Sequence, residues 1–109
     1  MANTFKLKTK ANVGVTTVGI YTAPAATTPV VIGITLSNTS GSGVNVGVGI
    51  TRAGTTEDVK LLKNAPIPQG SSLEFMGGNK VVLETTDTLT VDSDTNSSVD
   101  AALTIMEIT

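Results

Sequence analysis

The side chains able to carry acid–base or metal chemistry in this sequence reduce to carboxylates. Its 109 residues include nine Asp and Glu, with no histidine and no cysteine. That removes the Ser-His-Asp triad, the Cys-His pair and any imidazole acid or base. It also removes zinc on its ordinary nitrogen and sulfur ligands, and any disulfide. Among the carboxylates, Glu57 and Asp58 are adjacent, and Asp87, Asp92, Asp94 and Asp100 gather late in the chain. A glycosidase needs two carboxyl groups across a sugar cleft. Such clefts offer aromatic platforms, and this chain has no Trp. These acids therefore read as solvated turn residues. Asp92, Asp94 and Asn96 present alternating oxygens as a calcium loop does, but without the following Gly and the distal bidentate Glu. The glycines between Gly41 and Gly49 lie in a turn and a strand, not before a helix, which argues against a phosphate-binding loop. The sequence thus predicts no catalytic residue, no cofactor and no metal.

Charge narrows the partners. Charged residues are 15% of the chain, net charge is -2 and the isoelectric point is near 4.8. Nucleic-acid binding needs a cationic footprint, and none is present. Lys6, Lys8 and Lys10 alternate, so an extended segment places all three on one side, as a solvated or partner-facing arm. Met1 to Ala11 lacks the apolar stretch of a signal peptide, and no apolar run has bilayer-spanning length. Asn38-Thr39-Ser40 and Asn96-Ser97-Ser98 match the glycosylation pattern, which reads as chance in turns. Thr86, Thr88 and Thr90 alternate on one side of a strand, a row too short for an ice-binding array and explained by β-propensity.

Positioning these residues falls to strands. The dominant signal is period two in β-branched residues. Strands are predicted over 13–21, 30–38, 43–52, 57–64, 88–92 and 99–108. Short ones at 73–76 and 81–84 flank Gly77-Gly78-Asn79, which suggests a tight connection. In the second strand Ile32, Ile34 and Leu36 share a face. In the third, Val44, Val46, Val48 and Ile50 oppose Asn45, Gly47, Gly49 and Thr51. Val99, Ala101, Leu103 and Ile105 point inward in the last, whose other face carries Thr104, Met106 and Ile108. Thr22–Pro29 and Pro66–Ser72 are loops, because proline cannot donate to a ladder. The fold class is all-β, an antiparallel sandwich or small barrel of about eight short strands. An extended polar arm over 1–12 precedes a single domain over 13–109. Gly33, Gly47 and Gly49 on outward faces suggest either a packed subunit contact or a sheet that tolerates glycine.

Three segments carry a family resemblance: Val18 to Ile50, Asn64 to Val91, and the ending Ala102 to Thr109. They contain Tyr21, Thr22 and Pro24, then Ser37 and Asn38; Pro66, Pro68 and Gly70; and Leu83, Glu84, Asp87, Leu89 and Val91. In this the chain resembles small structural proteins of tailed bacteriophage particles. The resemblance implies a β-sandwich virion subunit without catalytic residues, made in the host cytoplasm. A capsid cement or decoration protein bridging capsid subunits is the leading reading. A tail, baseplate or fibre component is the runner-up, and a receptor- or carbohydrate-binding module the reading from another class. Expected partners are the major capsid protein or other virion proteins, with a homo-oligomer, by analogy a trimer, and no nucleic acid or membrane. Candidate contacts are Lys6, Lys8, Lys10, Pro24, Pro29, Pro66 and Pro68.

Overall fold

A computed structural model describes residues 3–53, 57–75 and 80–109. Every regular element among them is a strand: β1 (Asn3–Val13), β2 (Val18–Thr22), β3 (Thr28–Asn38), β4 (Val44–Arg52), β5 (Glu57–Ile67), β6 (Ser72–Phe75), β7 (Val81–Val82), β8 (Asp87–Ser93) and β9 (Val99–Ile108). Two antiparallel sheets form a sandwich. The first, sheet A, runs β1-β9-β3-β6, with β7 also paired to β3; sheet B runs β2-β8-β4-β5.

The alternation in the sequence becomes the core. Val99, Ala101, Leu103 and Ile105 of sheet A face Val44, Val46, Val48 and Ile50 of sheet B, and all are buried. Ile34, Leu36, Leu83 and Leu89 complete the interior at 2% exposure or less. Each such aliphatic side chain contributes roughly 1.5–3 kcal/mol by leaving water, which suffices for a core with few aromatics.

Several expectations are corrected, each for a local reason. The polar arm is extended, but as β1 it pairs with β9 from Asn3↔Ile108 to Val13↔Val99. The expected strand 13–21 is broken between β1 and β2, where Ser93 N–H and Ser98 N–H donate to the carbonyls of Gly14 and Val13. Ile32 does not share the face of Ile34 and Leu36: it is the extra residue of a bulge between Val31↔Ile105 and Gly33↔Thr104. Pro29 lies inside β3 opposite Glu107, near the strand's start, where a missing N–H is tolerated. Pro66 belongs to β5, an edge strand, which accommodates proline for the same reason. The irregular Leu61-Leu62 pair reflects two register shifts of β5 against β4, one next to Asn64 at φ 54°. Thr86 leaves the threonine row, standing in the turn before β8 with φ 74°. Finally, β6 and β7 are not a hairpin. Both pair antiparallel to β3, so they run in one direction along one edge. Gly77-Gly78-Asn79 lies outside the described residues.

Two of the three outward glycines prove to be enclosed by the chain itself. A Cβ on Gly49 would stand 2.8 Å from the Val59 carbonyl, and one on Gly47 would stand 2.5 Å from Asp92 Oδ1. These two answer to a close approach of β5 and β8, with no partner needed. Gly33 differs, since its nearest neighbour would be the Phe75 carbonyl at 3.8 Å. Gly49→Ala is expected to lower unfolding stability by about 1–3 kcal/mol, because a backbone carbonyl must shift. Gly41→Ala, with nothing within 4 Å, should leave the urea midpoint unchanged.

Candidate interaction surface

The charged groups that the fold assembles are structural ties. Glu107 continues the inward alternation of β9 and is buried at 6% exposure. The hydroxyl of Tyr21, from sheet B, donates to its Oε2 at 2.5 Å. Lys6 Nζ, from β1, lies 2.9 Å from its Oε1. The Tyr21 hydrogen bond, then Lys6, holds the Glu107 carboxyl below the usual glutamate range against the opposing effect of burial. Burial first, and the bond to Glu107 second, pushes the Tyr21 phenol well above its ordinary value.

A second cluster closes the turn before β8. Asp87 Oδ2 accepts from the Glu84 N–H at 2.9 Å, and Arg52 Nε donates to Asp87 Oδ1 at 3.2 Å. Arg52 also reaches Glu84 Oε1 at 2.5 Å. The Asp87 hydrogen bond leads the effects that raise the arginine further. Asn38 organises the next connection: its amide donates to the carbonyls of Ser42 and Ile67 at 2.8 and 2.9 Å, while its oxygen accepts from Ser40. An amide so engaged and buried is no glycan acceptor. Asp92 accepts from Thr17, and Asp94 from the Asn45 N–H. Among the described residues no three acidic side chains gather to hold a metal ion. No buried side-chain nitrogen or oxygen among them lacks a partner.

What remains open is a surface. Register places Phe5, Met106, Val30 and Val82 in one row across β1, β9, β3 and β7, all on the outer side of sheet A. Phe5 is 69% exposed, Val82 56%, and Leu7, next on the same side of β1, 65%. Adjacent to the row, Ile32, Thr35, Glu74, Phe75, Ala102 and Thr104 border a shallow groove over Gly33. Isolated exposed apolar residues are ordinary, but a contiguous row marks an interaction site.

The sequence candidates do not converge on one patch. Lys6, Lys8 and Lys10 share a side, as their alternation requires, but it is the inward side, paired with Ile105, Leu103 and Ala101. Pro29 is buried, whereas Pro24, Pro66 and Pro68 are exposed. Pro24 lies at the end of the sandwich where β3 begins, and Pro66 and Pro68 at the end where β3 meets β6. Sequence reasoning missed Glu107 and Tyr21. The signal available was a lone acid at the next inward position after Ile105.

The sequence matches no protein-family model, and no curated protein aligns with it. Its fold is similar to that of a protein from the disulfide-linked pili of Bacillus endospore appendages, at TM-score 0.57 and 16% identity over 99% of this chain and 87% of that one. It is also similar to a protein of infectious bursal disease virus, Gx strain, at TM-score 0.55 and 13% identity. That match covers 96% of this chain but 33% of the viral one, so the chain spans a third of that protein. At these identities the likeness is one of fold.

The Glu107 tie predicts a pH dependence. A carboxyl held below its unfolded value of about 4.3 contributes stability that is complete above that value and lost as pH falls through the lower, folded one. Tyr21→Phe removes the first cause of the lowering. It should cost about 1–3 kcal/mol at neutral pH and move the acid limb of stability to higher pH. Urea midpoints measured from neutral to acid pH on both proteins check this.

Proposed function

We propose that the chain is a non-enzymatic structural protein of a virion, a cement protein that decorates the head of a tailed phage and bridges its capsid subunits. The observation that carries this reading is the exposed apolar row of sheet A on a domain in which every buried side-chain polar atom among the described residues has a partner. Such a molecule acts through the surfaces it presents. Two further features support it. Similar folds occur in a pilus protein and a viral protein, both named above for their assemblies. The extents of the domain are 45 × 27 × 22 Å, and its proline-bearing loops stand at opposite ends of the strands. A preorganised body of that length touches two neighbours at little entropic cost, and repetition over a shell multiplies weak contacts. Because the sequence holds no cysteine, this chain adds no disulfide to any such assembly.

Lys8 and Lys10, with Pro24, Pro66 and Pro68, are the proposed shell contacts. Lys6, tied to Glu107, is left out of that set. The test is cosedimentation of the purified chain with capsids stripped of it, with tails assayed in parallel. Saturable head binding and greater resistance of the heads to heat are expected. Lys8→Glu with Lys10→Glu should weaken that binding about tenfold, equal to about 1.4 kcal/mol. Retention on tails alone would transfer the chain to the tail, baseplate or fibre. Binding only to polysaccharide would make it a receptor module, a reading against which its scarcity of aromatics argues.

A further inference from the structure

We infer that the apolar outer face of sheet A seats a second copy of this chain, in a twofold pair whose axis runs parallel to the strands between β9 and β3. The inference rests on the reading of the chain as a packing subunit and names the occupant of that surface.

Composition first limits the partner's class. The outward strand positions of sheet A carry charge only at Asp100 and Glu74, both acidic; Asp100 lies toward the far end of the face, and Glu74 lines the groove beside the apolar row. A face without cations is poorly suited to an anionic membrane surface or a nucleic acid. One exposed phenyl ring is a poor platform for sugars. A pleated, mostly apolar face with only two acids fits another sheet.

Symmetry then selects a copy of itself. A twofold axis along the strands exchanges β1 with β6 and β7, exchanges β9 with β3, and keeps each residue at its level. Phe5 comes over Val82 of the second copy, and Met106 over its Val30. One level on, Leu7 stands at the level of the second copy's Gly33, one strand further out. Apolar residues thus meet apolar residues in both directions, as an isologous contact requires. The acids agree: Asp100 falls over Ser37, and Glu74 over Thr9, so no like charges are stacked. An axis perpendicular to the strands would turn the acidic end of the face onto the apolar end. The area also suits a pair. Four strands at about 4.8 Å and about ten residues at about 3.4 Å give roughly 650 Å² in projection. The accessible area of a corrugated face is larger, and a standard interface uses about 800 Å² per partner.

The test is sedimentation equilibrium of the intact chain, together with three variants and the stripped-capsid assay. The expected result is a mass of twice 11.1 kDa. Leu7→Lys, and independently Phe5→Ser, which adds no charge, should weaken the pair by about tenfold or more. Thr9→Lys, opposite Glu74 of the second copy, should tighten it. Both exposed positions leave the core intact, and circular dichroism confirms folding. A monomer or a trimer at high micromolar concentration overturns the inference, as does a pair unaffected by either weakening variant. A monomer that binds capsids, and loses that binding on Phe5→Ser, gives the face to the shell: the pairing fails and the proposed function stands. A pair that ignores both heads and tails does the reverse.

Discussion

One buried carboxylate sets the phase of the strand that matters most for this surface. Glu107 lies on the inward side of β9, where a charge is tolerated only if it is neutralised and hydrogen-bonded. Tyr21 provides one partner from across the sandwich and Lys6 the other from the neighbouring strand. Strand residues alternate sides, so turning Lys6 inward turns Phe5 and Leu7 outward. A one-residue slip would turn the two apolar side chains toward the other sheet and carry the lysines to the outer face. The protein keeps the arrangement that looks inverted by hydrophobicity, with the lysines of the exposed edge strand on the side of the sandwich and the apolar residues on the outer face. The tie to Glu107 provides the physical reason.

The rest of the outer face follows from irregularities in its neighbours. The bulge at Ile32 shifts that side chain out of the core alternation, and Gly33 beside it leaves a depression. On sheet B, bulges in β5 bring its backbone over Gly49, and Asp92 of β8 covers Gly47. One sheet is therefore sealed by its own chain at its glycines, while the other keeps an open groove. The difference between two sheets of similar composition comes from where the bulges fall. Edge strands are handled in the same economical way. Alternating lysines on β1 and a proline in β5 discourage indiscriminate pairing at the free edges.

Much of the sandwich was legible because its longest strands alternate cleanly. Val44 to Ile50 and Val99 to Ile105 declare both their conformation and their buried sides. The absence of histidine and cysteine likewise bounded the chemistry without a structure. Bulges were not legible: Ile32 and Leu62 break or mimic a period in ways that only partner register resolves. Nor was the role of the lysines. Alternation placed Lys6, Lys8 and Lys10 on one side, but which side depended on Glu107, a residue 101 positions away that sequence spacing cannot connect to Lys6. The prolines misled in part because an edge strand or a strand's first residues accept them. Pro29 and Pro66 punctuate strands here, where composition suggested loops.

The central claim is that β1 is held with its lysines inward and its apolar residues outward. Nuclear Overhauser contacts from the Phe5 ring test it most directly. The account predicts contacts from that ring to the Met106 methyl group, its cross-strand neighbour on the outer face, and none to Tyr21. Contacts from the Phe5 ring to Tyr21, with Lys6 free of Glu107, would show the strand in the opposite phase and contradict the account.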